Sequence, residues 1–266
     1  MARTKGQPKS TKAVKPLKHA PLVQVAFEVN FPNSFAVETG IAEYQQRIGT
    51  LYPTSSAEYI VRLPSAVAFG KPPQPQSSVE LTPMRSFVFR NPTGSRIVRV
   101  SVVNFTLLVT DYLHFEEYLS SLAATFAPAI EIFHLHNVER IGLRYVNQIP
   151  IPATDAGNQY IKYIRTPLSA GAFSGHTISN FLTEVVLDLD STKKLTIRGG
   201  LLPQQMDKTD RTYLLDFDCY SLGGSVPLPG DKLKVLLEQY HAAIEAEFIG
   251  AITDKYWKYM ADGTPV

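Results

Sequence analysis

Apolar residues from Leu22 to Phe31 recur at every second position. Val23, Val25, Phe27, Val29 and Phe31 alternate with Gln24, Glu28 and Asn30. Strand side chains alternate between faces, so this predicts a half-buried strand, closed by Pro32. Asn33 or Ser34 is placed to cap a helix through Val37, Ile41, Tyr44 and Ile48. A short strand is expected over 58–63. Ser86 to Arg90 and Ser95 to Thr110 are strand-like runs on either side of Asn91-Pro92-Thr93-Gly94. That is turn chemistry, and it predicts a β-hairpin. Asn104 marks a bend or a second turn in the longer run. Phe115, Tyr118, Leu119, Leu122, Phe126, Ile130 and Phe133 then recur at helical spacing, with Pro128 expected to kink the helix or end its first part.

The pattern resumes at Asn137 to Pro150, NVERIGLRYVNQIP. As a strand it places Ile141, Leu143 and Tyr145 on one face and Arg140, Arg144 and Gln148 on the other. A variable stretch follows over 151–175. Three more strands are expected at Thr183–Asp190, Lys194–Leu201 and Thr212–Tyr220, the first two forming a hairpin through Ser191-Thr192-Lys193. Gly199-Gly200 suggests a bulge. Pro229-Gly230-Asp231 introduces the longest helix, with an apolar stripe from Leu233 to Ile252. Thirty helical residues would span about 45 Å. Gly250 is placed to kink it, and Thr253 to cap a final turn containing Trp257.

These elements predict an α+β fold, a largely antiparallel sheet or sheets packed on two long helices. Both halves run strand, variable insert, hairpin strands, helix, which suggests a structural duplication. The organisation is a disordered basic tail over 1–19, an N-terminal α+β half over 20–135 and a C-terminal α+β half over 136–261. The halves can share one domain. One sheet or two, or a single sheet curled round the last helix, are all compatible with the pattern.

Composition narrows the setting. Hydrophobic residues make up 44% of the 266 and charged residues 19%, enough apolar material for an ordered core. The single cysteine, Cys219, excludes an intramolecular disulfide framework and a cysteine-rich zinc site. No apolar run approaches the length of a transmembrane helix, and the N-terminus has no secretory apolar core, so a cytoplasmic protein without membrane contact is expected. Arg3, Lys5, Lys9, Lys12, Lys15 and Lys18 stand in the tail without an acid. Taking those six from the 26 Lys and Arg leaves 20 against 24 Asp and Glu, a mildly acidic body. A tail of this kind makes at most weak, salt-sensitive contacts with nucleic acid. Residues 64–85 hold five prolines, including a PxxP match at Pro72-Pro73-Gln74-Pro75. They read as a loop.

No nucleophile elbow, Walker loop or dinucleotide fingerprint occurs, and no cofactor is implied. The densest polar cluster is Arg140, Arg144, Asp188, Asp190, Arg198, Asp216 and Asp218, which share a face if their strands are neighbours. Four carboxylates, Asp188, Asp190, Asp216 and Asp218, could hold Mg²⁺ or Mn²⁺ for phosphodiester chemistry, since hard cations take several oxygen ligands. The competing reading is a solvent-facing sheet whose charges pair across strands. Arg140 and Arg144, with Tyr145, could instead bind a small ligand, the guanidiniums gripping a phosphate or carboxylate. His134 and His136 form an H-x-H with no further ligand at a recognised spacing. Cys219 alternates with Leu215 and Phe217, which places its thiol on the apolar face, where thiols are inert.

Val138-Glu139-Arg140-Ile141-Gly142-Leu143-Arg144-Tyr145-Val146-Asn147 resembles the hallmark of a sporadically distributed family of uncharacterised bacterial and archaeal proteins of about this length. The Pro21-to-Glu28 strand and Phe248, Ile252, Thr253 and Asp254 match its flanking motifs in the same order. The resemblance covers roughly 20–260. It implies a prokaryotic cytosolic protein linked to mobile, accessory or defence genes, and it carries no catalytic residues. The expected function is that of a non-enzymatic accessory protein with an unknown protein partner. A metal-dependent phosphodiesterase and a small-ligand binder stand as alternatives.

Overall fold

A computed structural model describes residues 17–60, 84–152, 159–165, 176, 178–204, 210–222 and 231–266. Residues 1–16 of the tail and 61–83, with the PxxP match, lie outside the described residues, as do most of 151–175 and the Pro229-Gly230 pair. The predicted alternation in the first strand becomes β1, Leu22–Asn30. The helical spacings become α1, Ala36–Ile48, and α2, Phe115–Ile132. Between them run β2, Thr54–Ile60; β3, Met84–Arg90; β4, Arg96–Ser101; and β5, Asn104–Val109. The second half holds β6, Arg140–Ile151; β7, Thr183–Asp188; β8, Lys193–Leu201; and β9, Arg211–Leu222. A 3₁₀ turn, Gln159–Lys162, precedes β7, and α3, Asp231–Ala251, and α4, Asp254–Asp262, follow β9.

The nine strands among the described residues form one antiparallel sheet in the order β2-β3-β4-β5-β1-β6-β9-β8-β7. The seam is the β1–β6 pair, with Glu28 opposite Gly142 and Ala26 opposite Arg144. Outward from this seam the connectivity matches: β5 and β9 each flank the centre and each leads into a long helix.

One face carries the core. Val25, Phe27 and Val29 of β1 and Ile141, Leu143 and Tyr145 of β6 join Tyr44 of α1, Phe126 of α2, Tyr240 of α3 and Tyr256 of α4 in one buried cluster. Phe126 stands edge-on to Phe27 at 5.1 Å, and Phe248 stands edge-on to Phe217 at 6.3 Å. Such pairs add about 0.5–1.5 kcal/mol each beyond area burial. The helices therefore lie on the face the odd-numbered residues of β1, β6 and β9 occupy, and the even-numbered residues face away from them.

The hairpin at Asn91–Gly94 is present, with Gly94 at φ 75° and its N–H bonded to the Asn91 carbonyl. Ser101 pairs with Asn104, so the predicted second turn is the Val102-Val103 connection. Several expectations are corrected. α1 has no side-chain cap; the Ser34 hydroxyl donates instead to the Phe133 carbonyl across to α2. Pro128 does not end α2. The helix runs on to Ile132, and its face on either side of Pro128 is anchored: Thr125, Phe126 and Ala129 are buried, and the Tyr44 hydroxyl donates to the Thr125 carbonyl at 2.9 Å. The helix stops at His134, in the left-handed region at φ 52°, where the Leu135 N–H closes back on Ile130.

The long C-terminal helix is two helices. Ile252 leaves helical geometry to bridge Ile164, and Thr253 then caps α4, its Oγ1 accepting from the Tyr256 N–H. Gly199-Gly200 makes no bulge, since both keep register with Leu215 and Leu214. Gly200 is required by a crossing backbone: a Cβ there would lie 2.1 Å from the Phe181 carbonyl oxygen. The irregularity falls in β1, between Leu22 and Gln24. Val23 is the extra residue and stays 38% exposed, while Leu22 packs on the core in its place.

Candidate binding face

Strand period decides which candidate residues meet. On β6, Arg140, Gly142 and Arg144 point away from the helices, and Tyr145 points into them. Tyr145 therefore does not share a pocket with the two arginines. Its hydroxyl bonds His241 Nδ1 at 2.9 Å and the Tyr112 hydroxyl at 3.2 Å, under a Phe115–His241 stack of 4.2 Å. Burial, above all, raises the Tyr145 pKa far above the phenol range and lowers that of His241.

Arg140 is enclosed. Its Nη2 donates to both oxygens of Asp218, at 2.6 and 2.7 Å, and its guanidinium lies 4.7 Å from the centre of the Tyr220 ring. The guanidinium folds back along its own strand over Gly142, where a Cβ would sit 2.8 Å from Nη1. Gly142 thus leaves the room that the guanidinium tip occupies. Glu28 reaches Arg140 Nη1 only at 3.5 Å.

Arg144 is held differently. Its Nε and Nη2 donate side-on to Asp216, both at 2.7 Å. Asp216 is 1% exposed, whereas the Arg144 side chain is 45% exposed. The hydrogen bonds Arg144 donates to Asp216, before any other influence, raise the Arg144 pKa further. Arg198 of β8 approaches the same carboxylate at 3.4 Å and gives its Nε to Glu184 of β7 at 2.6 Å.

The four carboxylates do not converge. Asp216 and Asp218 sit on β9 between arginines. Asp188 pairs with Lys194 near the β7 edge of the sheet. Asp190 caps the β7–β8 turn, accepting from the Thr192 and Lys193 N–H groups, and the backbone bond from Thr192 leads in lowering its pKa below the usual carboxylate range. Among the described residues no three His, Cys, Asp or Glu come together as a metal site. His134 and His136 are exposed beyond the end of α2. The sheet therefore presents the cross-strand pairing pattern. Among its described open-face residues every charged side chain is in an ion pair, the Arg90–Glu58–Arg99 group of the first half included.

At the seam the face opens into a solvent-accessible cavity of about 590 Å³. Gln24, Ala26, Glu28 and Asn30 of β1 and Thr106 and Leu108 of β5 line one side; Arg140, Gly142, Arg144, Asp218 and Arg198 line the other. Asn30 accepts from Asn104 at 2.8 Å and fixes the floor. The β1 and β5 contribution is absent from the sequence-predicted site. The one signal for it was Glu28, a charge on the polar side of a strand otherwise facing the core. Its place beside Gly142 depends on a strand pairing that local pattern does not encode.

Neither the protein-family models nor the curated proteins compared with this chain match it. No helix among the described residues is long and apolar enough to cross a membrane.

Proposed function

We propose that this chain is a non-enzymatic accessory protein that binds a protein partner on its open sheet face. The observation that carries the reading is the seam cavity, floored by small and uncharged side chains and framed by guanidiniums already oriented by carboxylates. Charges that compensate one another lose little on desolvation and favour recognition by hydrogen bonds over chemistry at a reactive group. Taken with the family resemblance, the reading extends to a prokaryotic cytosol and an accessory, mobile-element or defence-linked system. The matched connectivity of the halves supports an origin by internal duplication. The basic tail adds a weak, salt-dependent contact to nucleic acid.

The test is affinity capture of the tagged full chain from its native host, beside the variant Ala26→Trp, which fills the cavity floor without touching the core. A stoichiometric protein retained by the wild type and lost by Ala26→Trp is the expected result. Capture unaffected by the variant, or nucleic acid retained through high salt in place of a protein, overturns the reading. The second reading is a small-ligand site, favoured by the cavity volume, which lies within the roughly 300–1,000 Å³ of such sites. A small molecule found bound to purified wild-type protein and absent from Ala26→Trp would select it.

A further inference from the structure

Within the seam cavity two charges differ from their neighbours. The Arg140 and Asp218 side chains are only 19% and 17% exposed, and Arg140 Nη2 donates to both Asp218 oxygens. Arg144 is 45% exposed and Glu28 is 43% exposed. Arg144 uses Nε and Nη2 on Asp216, and among the described residues no bond engages Nη1. Glu28 has one long contact, 3.5 Å, to Arg140. Asp216 holds the Arg144 guanidinium by two hydrogen bonds, so Arg144 loses little further rotamer freedom when a carboxylate meets it.

The two exposed charges are ordered along the seam. Arg144 pairs with Ala26 and Glu28 pairs with Gly142, so they occupy successive rows of the same sheet face. Successive same-face rows lie about 7 Å apart. Arg144 stands beside the small Ala26, and Glu28 stands beside the Arg140 guanidinium that lies over Gly142; at 45% and 43% exposure both stay accessible from above. An extended segment laid along the seam repeats its own side chains on one face at that same interval of about 7 Å.

We propose that the partner segment is an extended strand carrying an acidic residue and a basic residue two positions apart, the acid on Arg144 and the base on Glu28. This rests on the reading of the open face as a partner surface and specifies the chemistry of its occupant. A purely anionic occupant meets Glu28 and Asp218, and a purely cationic one meets Arg144 and Arg198. A dipolar one satisfies both ends.

The probes are three blocked pentapeptides, acetyl-Thr-Asp-Thr-Lys-Thr-amide, acetyl-Thr-Asp-Lys-Thr-Thr-amide and acetyl-Thr-Asp-Thr-Thr-Thr-amide. In an extended peptide the first puts acid and base on one face, and the second puts them on opposite faces. Each is titrated into the full chain while the Arg144 side-chain Nε–H and the backbone amides of 24–30 and 140–146 are followed by NMR. The first peptide should shift these signals and bind roughly tenfold more tightly than the other two, the scale of one well-placed charge-assisted contact. Arg144→Gln and Glu28→Gln should each erase the preference, whereas Lys194→Gln should not. Open-face shifts blind to spacing, or a preference that survives both variants, overturn this inference and leave the partner-face reading standing. Absence of any shift also overturns it, and the Ala26→Trp capture experiment then decides the broader reading independently.

Discussion

Removing Arg144 should cost more than removing the carboxylate that holds it, although both deletions break the same two hydrogen bonds. The asymmetry comes from burial. Arg144→Met leaves Asp216, 1% exposed, with Arg198 at 3.4 Å as its remaining charged partner. Asp216→Ala leaves two guanidiniums that are 45% and 31% exposed and can regain water. A hydrogen bond to a charged group is worth about 1.5–3 kcal/mol net, and a stranded buried group carries its own desolvation cost. Discounted for the exposure of Arg144 and the surviving Arg198 contact, Arg144→Met should lose about 2 kcal/mol and Asp216→Ala about 1 kcal/mol. At this chain length that is about 4–8 °C against 2–4 °C in Tm. The decisive variant is the double. If the stranded carboxylate dominates, adding Asp216→Ala to Arg144→Met restores about 1 kcal/mol, read as a higher urea midpoint at unchanged m-value. A double variant less stable than Arg144→Met alone refutes the reasoning, because the pair would then contribute by packing or mutual attraction and not by satisfying a buried charge.

Gly200→Ala should destabilise by about 1–3 kcal/mol, because the new Cβ meets the Phe181 carbonyl and the Leu182 Cα, which are backbone and cannot rotate away. Hydrogen exchange should rise over 181–188, and an unchanged midpoint would refute the close-approach account. His241 has its pKa lowered, chiefly by burial, with Glu245 and Glu116 opposing. The unfolded chain then binds the proton first, so its contribution to stability is complete above about pH 7.5 and falls as pH drops below the ordinary value of 6.5. His241→Gln should flatten that dependence in urea melts between pH 7.5 and 5.5, and an unaltered slope would refute the assignment. Burial pushes the Cys219 thiol up to about 12, so a thiol reagent at pH 8 should label the protein only in denaturant. Labelling of the native protein would contradict the packing of β9 on α3.

What was legible in the sequence was what short-range physics controls. Period-two alternation placed Arg140 and Arg144 opposite Tyr145 on β6, and turn chemistry placed the Asn91–Gly94 hairpin. The capping role of Thr253 was also readable, since a hydroxyl three residues before Tyr256 meets an orphan helix N–H. The misreadings arose where a distant segment decided the outcome. Gly199-Gly200 looks like a bulge until the 181–182 backbone crosses it, and Pro128 offers a break that α2 passes through on its way to Ile132. Asp188, Asp216 and Asp218 do share the open face, as their alternation indicates, while Asp190 caps the β7–β8 turn; basic residues of the flanking strands beside them turn a metal site into an ion-pair lattice. Glu28 was invisible as a site residue because β1 and β6 are separated by most of the first half.

That separation has a consequence for biosynthesis. β1 pairs on one side with β5, about 80 residues later, and on the other with β6, about 115 residues later. At a typical elongation rate of about 5–20 residues per second, β1 waits about 4–16 s for its first neighbour and about 6–23 s for its second. During the later interval a nascent chain would present one naked edge with Phe27 and Val29 beside it, so the strand that becomes the most protected in the finished sheet is the most vulnerable one on the ribosome.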